Sequence, residues 1–106
     1  MARRIPIRYY DDEEYLEQGG VYAIEHDETG QVYIGQSQEF WTRWRTHHRL
    51  LREHRHTNHQ LQAAWTACDG ERLYFLILDL EQDEAARRQL ERTWIQHYGD
   101  RVYNKP

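Results

Sequence analysis

Glu91 is the residue that fits a hydrophobic core least well. From about Asp83 to Tyr98, helical spacing places Leu90, Trp94, Ile95 and Tyr98 on one inward stripe, with Glu91 at its border. A carboxylate there must reach water, pair or bind something, because an unpaired buried charge costs several kcal/mol. Two readings stay open: a salt bridge with Arg87 or Arg88, or a metal-binding carboxylate, as in Mg²⁺ sites that keep most of their waters. Arg43 and His47 stand four residues apart in a helix expected from about Phe40 to Glu53, so both reach one patch of space. Tyr22 and Tyr33 stand on two β-rich runs around the polar loop Asp27–Gly30, which reads as a hairpin. If those four residues form the loop, opposed positions sum to 57. Ile24 then faces Tyr33, and Tyr22 is its diagonal neighbour on the same face. A slip of one residue would part the two phenols.

The elements that must hold these groups follow from the same patterning. Phe40, Trp44, His47 and Leu51 form a helical stripe with a histidine set into it. A second helix is expected from about Asn58 to Ala67, with Leu61, Ala64 and Trp65 inward and Asp69-Gly70 ending it. Leu73–Leu80 is a near-continuous apolar run, the pattern of a central buried strand. The last helix takes Asp83 as N-cap and closes on Gly99, after which Val102-Tyr103-Asn104 returns to the body. The fold class expected is α/β (α+β): a small three-stranded, mainly antiparallel sheet flanked by two or three helices. Residues 1–19 read as an arm, Arg-rich up to Arg8 and then acidic, and residues 20–106 as one domain.

A chain of 106 residues buries a single modest core. With 39% hydrophobic and 30% charged residues it is globular rather than disordered. No apolar run approaches the roughly 20 residues of a membrane helix, so no membrane partner is expected. Cys68, the single cysteine, excludes an internal disulfide and leans toward a reducing, cytoplasmic setting. The net charge of −4 argues against a nucleic-acid partner, but its distribution does not. Between Trp41 and His56 stand Arg43, Arg45, Arg49, Arg52 and Arg55 against Glu53 alone. A polarised protein of this kind can present one basic face to phosphates, or simply a solvated helix face. His47, His48, His54, His56 and His59 make no repeated ligand pair with cysteines or acids, which counts against structural zinc.

Gly20-Val21-Tyr22, Tyr33-Ile34-Gly35, Arg43, Glu91 and Asn104 resemble, in order and spacing, the motifs of the GIY-YIG nuclease superfamily. The resemblance spans about Gly20 to Asn104. Val32–His47 and His56–Gln62 are similar to the phage intron-homing branch. Val21 departs from the isoleucine of the name motif, a conservative change.

The resemblance implies a DNA endonuclease with a single divalent ion, Mg²⁺ or Mn²⁺, leaving a 5′-phosphate and a 3′-hydroxyl. It assigns the metal to Glu91, phosphoryl-charge neutralisation to Arg43 and the general base to Tyr22. Arg43 and His47 would supply the cation that favours the phenolate, with His47 also relaying the proton. Tyr33 would position water or a phosphate oxygen, and Asn104 would brace the site. Arg45, Arg49, Arg52 and His56 are the candidates for gripping DNA, single- or double-stranded. A double-strand cut would need a homodimer or two successive nicks. The rival readings are a non-catalytic nucleic-acid binder on a nuclease fold and a protein-interaction module.

Overall fold

The computed structural model describes residues 4–7 and 17–103. A hairpin forms where the patterning puts it. Strand β2 (Gly20–His26) pairs antiparallel with β3 (Val32–Ser37), and every opposed pair sums to 57, Ile24 with Tyr33 and Tyr22 with Gly35 among them. The loop is fixed by Gly30, whose φ of 74° suits a residue without Cβ, and by His26 Nδ1, which accepts from the Glu28 and Thr29 amides.

Helices α1 (Phe40–Arg52) and α2 (His59–Cys68) follow, then β4 (Leu73–Leu80) and α3 (Glu84–Tyr98). Asn58 caps α2 by accepting from the Leu61 amide, and Asp83 caps α3 by accepting from that of Ala86. Asp69 ends α2 in the left-handed conformation.

Among the described residues the sheet has four antiparallel strands where three were expected, with β1 (Arg4–Pro6) added in the order β1–β4–β2–β3. The added edge strand comes from the expected arm. Ile5 and Ile7 alternate inward and are buried, whereas Pro6, which lacks an N–H, is exposed on the edge. The Ile7 amide donates to the Leu73 carbonyl, and its own carbonyl accepts from Trp44 Nε1 at 2.9 Å. The acidic part of the arm lies outside the described residues.

Each face of the sheet is covered. On one, Tyr22, Ile24, Leu73 and Phe75 pack with Phe40, Trp44 and Leu51 of α1 and Leu61 and Trp65 of α2. Phe75 stacks on Trp44 at 4.9 Å and on Tyr22 at 5.0 Å. On the other, Val21, Ala23, Ile34 and Leu76 meet Leu90, Trp94, Ile95 and Tyr98 of α3. Beyond α3, Val102 bridges Val32, and the Tyr103 amide donates to the Val32 carbonyl. No described helix is long and apolar enough to cross a membrane.

Candidate active site

Tyr22 is buried at the centre of the sheet, and two features of the chain fix its ring. Phe75 stacks against it, and Gly35 faces it across the hairpin, where a Cβ would come within 2.3 Å of the Tyr22 hydroxyl. The pairing of β2 with β4 also shifts register between Val21 and Tyr22, a bulge that aims the side chain. The Tyr22 hydroxyl meets His47 Nε2 at 2.6 Å, and His47 Nδ1 meets His56 Nε2 at 2.8 Å. Tyr33, half-buried, closes the group, its ring 5.1 Å from that of His47 and 5.8 Å from that of His56.

His56 is thus 6% exposed and bonded to His47, not set on the surface beside Arg45, Arg49 and Arg52 as its candidacy for gripping DNA required. The turn after α1 puts it there. His54 takes a left-handed φ of 58°, the His56 amide donates to Gln62 Oε1, and Gln62 Nε2 donates to the Leu51 carbonyl.

The electrostatics separate the groups. Burial raises the Tyr22 phenol well above its usual value, Tyr33 adds to this, Arg43 opposes it and Glu91 reinforces it. Burial raises Tyr33 as well, with Arg43 opposing and Glu91 reinforcing. Burial, with His56 and Arg43 adding to it, lowers His47 to about 3. His47 is therefore neutral at physiological pH and is not the cation that was expected beside Tyr22; among the described residues Arg43 holds that place.

Arg43 projects from the exposed side of α1 into an open cleft of about 730 Å³, which it shares with Ser37, Gln38, Thr42, Thr46 and Gln82 and with two carboxylates, Glu17 and Glu39. Thr42 and Thr46 also line an adjoining groove of about 520 Å³ with Arg45, Arg49 and Arg52, so cations run on from Arg43 along the helix. Arg45 also lies over the Trp41 ring at 5.6 Å.

Glu91 is half-buried on α3 and, among the described residues, makes no hydrogen bond or ion pair. Burial raises its carboxyl above the usual value, against Arg88 and Arg92. The salt-bridge reading fails on geometry. Arg88 pairs with Glu84 at 2.8 Å, while Arg87 donates to Gln36 Oε1 and the Gln82 carbonyl. Asn104 lies outside the described residues. Among those described, no group of three or more His, Cys, Asp or Glu is placed to hold a metal.

Patterning missed three contributors. Arg87, offered only as a partner for Glu91, is 6% exposed and bonded to Gln36 and Gln82, and neither Asn58 nor Gln62 stood out from an ordinary helix start. His48 is buried against Trp65.

The model of the GIY-YIG catalytic domain matches residues 18–104. No curated protein matches the chain significantly. The fold is similar to two solved structures of the catalytic domain of the homing, or intron, endonuclease I-TevI. One has a TM-score of 0.76 at 23% identity, covering 84% of this chain and 99% of that one. The other, of a point mutant, has a TM-score of 0.71 at 23% identity over 76% and 84%. A family match over nearly the whole chain, on a fold that gathers its two tyrosines at one face, shows that this chain belongs to the GIY-YIG family and carries its nuclease catalytic domain.

Proposed function

We propose that this domain is a metal-dependent DNA endonuclease that leaves a 5′-phosphate and a 3′-hydroxyl. The observation that carries the reading is Glu91, a half-buried carboxylate that makes no hydrogen bond or ion pair among the described residues and whose charge reaches both Tyr22 and Tyr33. One such carboxylate suits a Mg²⁺ or Mn²⁺ ion that keeps most of its waters. Bound there, that ion supplies polarisation of the phosphate and stabilisation of the leaving oxygen.

The chain's own residues do the rest. Arg43 neutralises charge on the phosphoryl oxygens from the cleft. The Tyr22 oxygen takes the proton of the attacking water as the new P–O bond forms. The bond from phosphorus to the 3′-oxygen breaks, and that oxygen is protonated from solvent. Tyr33 positions the water or a phosphate oxygen. Arg45, Arg49 and Arg52 track the DNA backbone along their groove.

The test is cleavage of labelled single- and double-stranded oligonucleotides in Mg²⁺, Mn²⁺ or EDTA, beside Glu91→Ala. Cutting that needs the metal and vanishes in the variant supports the reading. Cutting in EDTA, or by Glu91→Ala at the parent rate, overturns it.

A further inference from the structure

The chain of buried bonds behind Tyr22 has a direction. The Asn58 backbone N–H donates to His56 Nδ1 at 3.0 Å, so that nitrogen is bare and neutral His56 carries its proton on Nε2. That Nε2–H meets His47 Nδ1 at 2.8 Å, which leaves the single proton of neutral His47 on its own Nε2. The two rings lie 5.0 Å apart with planes 20° from parallel, the arrangement of an in-plane, edge-to-edge N–H···N bond. His47 Nε2 then donates to the Tyr22 hydroxyl at 2.6 Å. The direction is anchored by backbone, since the Asn58 N–H can only donate, and the His56 amide is itself held by Gln62.

We infer that His56 is a positioning residue: it holds His47 in the one tautomer that donates to Tyr22, so the Tyr22 oxygen accepts from the interior and its proton faces outward. On this geometry Tyr22 cannot pass its proton inward, because His47 Nε2 is already occupied. The expected relay through His47 is replaced by a fixed donor that steadies the phenolate. Burial lowers His47 to about 3 and lowers His56 as well, there against its hydrogen bond with the Asn58 backbone, which suits this role. The hydrogen-bond direction stands on the geometry alone; its effect on cleavage rests on the nuclease reading above.

Long-range ¹H–¹⁵N spectra of the full chain at pH 7, without metal, read the tautomers. His47 and His56 are both expected with Nε2 protonated and Nδ1 bare. In His56→Ala, His47 is expected to become a mixture of tautomers. The cleavage kcat falls on the order of tenfold to a hundredfold, the usual size when the partner fixing a functional histidine is lost, with KM unchanged. His56→Gln, whose amide can accept from Asn58 and donate to His47, restores the tautomer and most of the rate. His47 protonated on Nδ1 in the parent protein overturns the proposal, as does a slower His56→Ala whose His47 spectrum is unchanged. If His56→Ala does not fold, the parent and His56→Gln spectra decide. Absence of cutting with the expected spectra would sink the nuclease reading and leave the bonding scheme standing.

Discussion

Tyr22 takes part in two opposed demands. Packing against Phe75 and under Gly35 fixes its oxygen, and the same burial holds its proton on. With the phenol raised above its ordinary value, the reactive phenolate is a minor form at neutral pH, and its share grows tenfold per pH unit. Cleavage at saturating metal should therefore keep rising from pH 7 to 9; a plateau near pH 7 would show that another group is the base. Tyr22→Phe should lower cleavage by about 10²–10⁴-fold, the range for loss of a general base. It should also cost about 1–3 kcal/mol in denaturant unfolding, since the His47 N–H loses its acceptor. The Tyr22–His47 bond is a case where periodicity gave the approach and not the contact. Helical spacing put His47 on the inward stripe, but only the packing of α1 on the sheet brings it to 2.6 Å.

At the scale of elements, β1 and the hairpin make the sharpest claims. Ile7 is fully buried, so Ile7→Ala should cost about 2–5 kcal/mol in urea unfolding. A cost below about 0.5 kcal/mol would mean that this edge strand is a dispensable arm. In the hairpin, Gly35→Ala places a methyl within 2.3 Å of the Tyr22 oxygen. The ring must move, so cleavage should drop with the Tyr22–His47 bond, and overpacking should cost about 1–3 kcal/mol. Activity at the parent level would show that the ring does not need this position. Strand β1 escaped the reading because an alternation of two isoleucines, Ile5 and Ile7, is too short to stand out as a period. Its identity comes from the partner edge that β4 offers.

At the scale of the molecule, charge and burial set the response to salt and pH. The groove of Arg45, Arg49 and Arg52 lies on one helix face of an otherwise acidic chain. DNA binding by Glu91→Ala should weaken steeply with salt. Removing any one of these arginines should flatten the log–log slope by about 0.7–0.9. An unchanged slope would place the DNA elsewhere. Stability should be full above pH 6.5 and fall as the pH drops toward 3. In that window the unfolded chain takes a proton that folded His47 refuses, at up to about 1.4 kcal/mol per pH unit. His56 adds in the same sense. His47→Gln should flatten the acid limb of Tm against pH; an undiminished slope would assign that loss to other groups.

By itself the sequence determined what local rules govern. The four-residue loop set the hairpin register, and with it the shared face of Tyr22 and Tyr33. Caps and glycines set the helix ends, and the stripe of α3 marked Glu91 as a carboxylate out of place. The ordered motifs then carried the family. Tertiary structure decided whatever depends on groups far apart in the chain. It turned His56 from a surface contact into the anchor of a buried bond chain, took the positive charge from His47, and buried Arg87 against Gln36 and Gln82. It also gave the Glu91 neighbours other partners. The reason is that periodicity assigns a residue to a face, whereas charge state and hydrogen-bond direction depend on which groups from other elements arrive at that face.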